Sequence, residues 1–120
     1  MNGKIIQIGN VHGCHSVEKL DTERSLMQSN FIIEKLKQKQ IPTILLGDFN
    51  VLSNTKSIEI INKEFNNLNN KFNIVTTRPK GQVIDFVFIN EGFVEKNLKV
   101  GITDISDHYP LITEVELNTK

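Results

Sequence analysis

Thr43-Ile44-Leu45-Leu46-Gly47-Asp48-Phe49-Asn50 passes from an apolar run directly into a glycine, a carboxylate and an amide. A short apolar run after a helical pattern suits a strand buried on both faces, and Gly47 ends it. Asp48 and Asn50 then sit just past the carboxyl end of that strand, where α/β folds commonly place ligands. Two residues apart in an extended exit, both side chains can point to the same side. A carboxylate there takes up a proton or a cation, and an amide can donate to a phosphate oxygen. Gly-Asp-x-Asn is also good turn chemistry, and by itself the segment reads better as an Asx-rich turn.

The flanking segments set the architecture. Ile5 to His12 reads as a strand with Ile6, Ile8, Asn10 and His12 on one side. Asp21 is a good N-cap for a helix to about Lys39, with Glu23 in its first turn and Leu26, Ile33 and Leu36 as its apolar stripe. Ile41-Pro42 ends it. Ser53 or Asn54 caps a second helix through about Phe65, striped by Ile58, Ile61 and Phe65. The polar, Asn-rich stretch 66–73 reads as a surface loop. Strands are expected over Ile74–Thr77, Val83–Ile89 and Leu111–Leu117, with 100–105 as a further candidate and Arg78-Pro79-Lys80-Gly81 as a turn. The order β-α-β-α followed by several strands predicts an α/β fold, parallel early and antiparallel late.

Two more segments place charge where an apolar strand should continue or has just ended. In Ile84-Asp85-Phe86-Val87-Phe88, strand periodicity puts Asp85 on a face with Val83, Val87 and Ile89. A carboxylate in that setting needs a partner or a metal. His108, in Ser106-Asp107-His108-Tyr109-Pro110, is the best candidate, because an Asp that fixes one ring nitrogen leaves the other as a proton carrier near neutral pH. A salt bridge from Asp85 to a helix Lys or Arg is the plainer alternative. Adjacent Asp107 and His108 side chains diverge, so each can serve a different ligand, and Pro110 holds Tyr109 extended. His12 ends the first strand, and a lone His there is usually structural. Asp104 reads as a turn residue, and His15 as a loop residue. Arg24 and Gln28, at i and i+4, are accounted for by packing at a sheet edge.

Composition narrows the classes. A chain of 120 residues holds one core and one domain, 1–120. Zero formal net charge and few aromatics argue against a nucleic-acid-binding module. One cysteine, Cys14, excludes an intrachain disulfide framework and a cysteine-clustered zinc site. Apolar stretches are too short for a signal h-region or a membrane span, which points to a soluble, cytoplasmic protein.

Asn10-Val11-His12, Gly47-Asp48-Phe49-Asn50, Ile84-Asp85-Phe86-Val87-Phe88 and Ser106-Asp107-His108-Tyr109-Pro110, in this order, resemble the endonuclease/exonuclease/phosphatase superfamily, the deoxyribonuclease I-like group. The resemblance covers nearly the whole chain and implies phosphoester hydrolysis at a divalent cation, magnesium or alternatively manganese. It implies that His12 contacts the scissile phosphate. It makes Asp48 the residue that orients or deprotonates the attacking water, and Asn50 a donor to a phosphate oxygen. Asp85 would hold His108, the general acid–base or transition-state donor, and Asp107 would help bind the metal. Between Asp48 and His108 the general base stays open.

All four motifs match the family's second half. The resemblance therefore implies half of a four-layer α/β/β/α sandwich, one mixed sheet with two covering helices. The first half normally supplies a metal-binding Glu and an Asn, and neither has a motif match here; Asn2 lacks the context. With Met1 just before a family strand, the chain reads as an apparently truncated domain: a split gene, a shortened frame or a fragment. Half a sandwich leaves Ile, Val and Phe side chains open, so association is expected, as a homo-oligomer or with a complementary N-terminal half. The alternative is a catalytically silent remnant or association module. Nucleic acid, nucleotide and phospholipid headgroup substrates are not distinguished.

Overall fold

A computed structural model describes residues 3–119; Met1 and Asn2, on which the expectations of truncation and of an unmatched Asn partly rest, lie outside the described residues. The elements in chain order are β1 (Gln7–His12), α1 (Glu23–Leu36), β2 (Thr43–Asp48), α2 (Lys56–Asn62), β3 (Asn66–Asn67), α3 (Leu68–Lys71), β4 (Asp85–Ile89), β5 (Phe93–Val100) and β6 (Leu111–Leu117). Four strands form a mixed sheet in the order β1-β2-β4-β3, with β1 parallel to β2 and both remaining contacts antiparallel. The expected parallel-then-antiparallel α/β order is therefore present. β5 and β6 form a separate antiparallel pair.

The two faces of the sheet differ. On one, Leu45, Phe49, Phe86 and Phe88 pack against Ile58 and Ile61 of α2 and Ile32, Ile33 and Leu36 of α1. Phe49 meets Phe86 edge-on at 5.7 Å and Phe88 at 5.5 Å between ring centroids. Burial of each such ring contributes about 1.5–3 kcal/mol, so this face holds the sheet to its helices. On the other face, Val87 and Ile89 pack with Leu68, Phe93 and Leu98, and the β5–β6 pair covers part of the sheet. Cover fails along β1, the edge strand: Ile8 is 60% exposed, and Phe31 of α1, beside the same strand, is 59% exposed.

Several boundaries move for local reasons. Thr22, not Asp21, caps α1, accepting from Ser25 N while Ser25 Oγ accepts from Thr22 N. Asp21 instead serves α2, accepting from Lys56 N at 2.8 Å and Ser57 N at 2.9 Å. Thr55, rather than Ser53 or Asn54, is the α2 N-cap. Residues 74–77 and 101–105 are not strands, whereas Phe93–Val100, not among the expected strands, forms β5. A register irregularity between Glu95 and Asn97 breaks the period of two that would have exposed β5 in the sequence. The Asn-rich stretch is not simply a surface loop: it holds β3 and α3, and Asn69 is 2% exposed.

Candidate active site

The strand register assembles the site. His12 of β1 lies opposite Asp48 of β2, and Asp48 lies opposite Asp85 of β4, so the three form one row across the sheet. The next rows in the same face are Asn10–Leu46–Val87, one residue pair removed, and Ile8–Ile44–Ile89. A polar row thus closes the end of an otherwise apolar face, as side-chain alternation requires.

Two glycines allow the strand ends to meet. Gly47 has φ +137°, and a Cβ there would lie 2.0 Å from Val11 O. At Gly13, just after β1, a Cβ would lie 2.1 Å from Phe49 O. Only glycine fits either position. Gly13 N accordingly donates to Asp48 O at 2.6 Å, tying the end of β1 to the end of β2.

His108 arrives from the loop between β5 and β6. Tyr109 N donates to Thr77 O at 2.8 Å, and His108 N donates to Ser106 Oγ at 3.2 Å, which fixes that loop beside the end of β4. His108 Nδ1 is 2.9 Å from Asp85 Oδ2, and Nε2 is 3.6 Å from Asp48 Oδ2. His12 Nε2 is 3.9 Å from the same Asp48 oxygen, on a side chain that is 82% exposed. A neutral His108 ring that donates from Nδ1 to Asp85 presents Nε2 to the site; a protonated ring can donate on both sides.

Burial pushes the Asp85 carboxyl above the ordinary carboxylate value, and the Asp48 charge adds to this, while His108 and the Thr77 hydroxyl oppose it. Thr77 and Asn69 also hold the backbone at Asp85. Thr77 Oγ1 accepts from Ile84 N and Asp85 N; Asn69 Nδ2 donates to Asp85 O at 2.8 Å and its Oδ1 accepts from Val87 N. Neither residue stands out in the sequence, because a single Thr or Asn in a polar stretch carries no periodic signal.

Asn50 is 6% exposed and fully engaged on one side: Oδ1 accepts from Lys19 Nζ at 2.9 Å and Nδ2 donates to Gly13 O at 2.9 Å. Its backbone N donates to Asp48 Oδ1 at 2.9 Å, so the Asx turn read from the sequence is present at this candidate site residue. Asp107 is exposed and adds no atom to the cluster around His108. Asp104 is exposed, as a turn residue should be.

Among the described residues, ligand atoms of Asp48, Asp85 and His108 lie within 4.8 Å of one another. Two carboxylates and an imidazole, with no thiolate, fit a divalent cation with a preference for oxygen donors. Beside them a cleft of about 280 Å³ runs over Leu46, Asp48, Asp85, Tyr109 and Pro110.

Known proteins share this arrangement of strands and helices. An endonuclease/exonuclease/phosphatase from Bacteroides vulgatus superposes with a TM-score of 0.76 at 22% identity, over 89% of this chain and 48% of that one. The chain has the endonuclease/exonuclease/phosphatase fold. A functionally unknown conserved protein from Enterococcus faecalis V583 matches with a TM-score of 0.77 at 26% identity, over 92% of this chain and 50% of that one. The mannosyl-6-phosphatase Bt3783 of Bacteroides thetaiotaomicron VPI-5482 matches with a TM-score of 0.71 at 21% identity, over 90% and 50% respectively. The chain spans about half the length of these structures. No protein-family model matches the sequence, and no curated protein matches it. Among the described residues no helix is long and apolar enough to cross a membrane.

Proposed function

We propose that the chain is the catalytic-residue-bearing half of a magnesium-dependent phosphoester hydrolase. The observation that carries this reading is the His12–Asp48–Asp85 row with His108 seated on it, Nδ1 against Asp85 and Nε2 toward Asp48. Asp85 fixes the ring, so that Nε2 is the nitrogen that exchanges a proton with the reacting group. Asp48 orients the attacking water and accepts its proton, and its carboxylate stands near enough to His108 for the two to share that work. His12, exposed at the rim, and Asn50 bind phosphate oxygens. Asp48 and Asp85 are the carboxylates gathered for magnesium or manganese, while Asp107, which the resemblance implies as a metal ligand, is exposed and outside that group; the bound ion would polarise the phosphoryl group and offset its charge.

Activity requires a complementary half, supplied on the same polypeptide or on another. Two features support this: the chain spans half of the structures it resembles, and its apolar surface is open along β1. An association module that has lost activity is the second reading, favoured by the same open surface and by the absence of a fourth described carboxylate or imidazole from the Asp48–Asp85–His108 group.

Magnesium-dependent hydrolysis of a generic phosphodiester, assayed with the complementary half present, distinguishes the two. Asp48→Ala and His108→Ala are each expected to lower kcat by about 10²–10⁴-fold with the fold intact. Full activity in either variant rejects these roles. Negligible turnover is expected from the chain by itself, and vigorous turnover without a partner rejects the need for a second half.

A further inference from the structure

We propose that Lys19 is a positioning residue of this site: its ammonium holds the Asn50 amide with Oδ1 turned away, so that the group it can still offer a phosphate is an N–H. Lys19 lies in the loop between β1 and α1, where its carbonyl accepts from Leu52 N at 2.8 Å. It is 7% exposed, unusual for a lysine, which normally carries its charge out to water. Nζ donates to Asn50 Oδ1 at 2.9 Å and approaches His15 Nδ1 at 3.4 Å. Among the described residues no carboxylate lies within ion-pair distance of it.

The chemistry of the donors fixes the amide. An ammonium has no lone pair, so only Oδ1 of Asn50 can face it. Nδ2 then spends one N–H on Gly13 O and keeps the second as the only donor the amide can still offer. With Oδ1 turned away, the amide cannot present an acceptor to an anionic group, which would repel it. The same ammonium sets a buried positive charge one hydrogen bond behind Asn50, whose backbone N–H is bound to Asp48. A lysine that served packing alone would be expected to find a carboxylate or reach solvent. The backbone bears a cost as well: Lys19 and Asn50 both adopt left-handed conformations, with φ 58° and 56°.

The catalytic consequence rests on the hydrolase reading above, but the geometric claim can be tested without it. In the full chain, ¹⁵N-labelled, the side-chain amide of Asn50 is followed by NMR in wild type, Lys19→Met and Lys19→Arg. Lys19→Met is expected to speed exchange of the Asn50 Nδ2 protons by about tenfold or more and to shift their resonances. Lys19→Arg restores the protection, and the Asn50 backbone amide stays protected throughout as a control for the fold. An unchanged Asn50 side-chain amide in Lys19→Met overturns the proposal. If the Met variant does not fold, Lys19→Gln, which keeps a neutral donor, is read against Lys19→Arg: a weakened signal in Gln alone supports the proposal, and equal signals overturn it. With the complementary half and magnesium, Lys19→Met is expected to lower kcat by roughly tenfold to a hundredfold with KM little changed, and Lys19→Arg to recover part of it. Absence of turnover in wild type counts against the hydrolase reading only, and the Asn50 amide still decides the role of Lys19.

Discussion

Gly47 has the strictest steric demand in the site. Its φ of +137° and the 2.0 Å approach of its missing Cβ to Val11 O leave no room for any side chain. Gly47→Ala is expected to destabilise the chain by about 3 kcal/mol, read as a shifted denaturant midpoint with little change in slope. Retention of wild-type stability would mean that β1 and β2 separate at this end without cost. Asp48, the next residue, was legible as chemically interesting because a carboxylate interrupts an apolar strand. Asp85 was legible for the same reason, and its contact with His108 is present in the structure. Lys19, Thr77 and Asn69 were not legible, since their importance lies in being buried, and burial of a single polar residue leaves no mark on local sequence.

Among the elements, α2 depends on a residue from another segment. Asp21 accepts from the first two N–H groups of α2 and from the Ser57 hydroxyl, while Thr55 accepts from Ile58 N. Burial alone would raise the Asp21 pKa, but these donors outweigh it, and the carboxyl is held below its ordinary value of 3.8. A depressed carboxylate adds stability above its unfolded pKa and loses it as pH falls through the folded value. Asp21→Ala is therefore expected to cost about 1 kcal/mol at neutral pH, with the gap to wild type closing as pH falls below 3.8. A gap constant from pH 7 to pH 2 in thermal melts would contradict this. The sequence read Asp21 as the N-cap of α1, which is Thr22 instead; its service to α2 was not legible, because capping signals are local and this bond spans 36 residues.

For the whole molecule, the open side of β1 is the feature with consequences. A strand with an unpaired edge and an exposed Ile8 on one face of the sheet, with exposed Phe31 of α1 beside the same strand, invites another chain. Sedimentation at micromolar concentration is expected to show species larger than a monomer, and Ile8→Lys to shift the distribution toward monomer without disturbing His108. A strictly monomeric wild type would show that this surface tolerates water unaided. Melting of the His108 loop in Ile8→Lys would show instead that the two regions are not independent.

The opening β-α-β-α order, the parallel-then-antiparallel sheet and the identity of the polar intrusions were determined by the sequence alone, because apolar periodicity and turn chemistry act between near neighbours. Pairing of β5 with β6 as a separate sheet, the burial of Asn69 and Lys19, and the exposure of Asp107 were decided only by tertiary structure. Each depends on which distant segments become neighbours, and the free energy of burying or exposing a polar group is set by those neighbours rather than by the residues beside it in the chain.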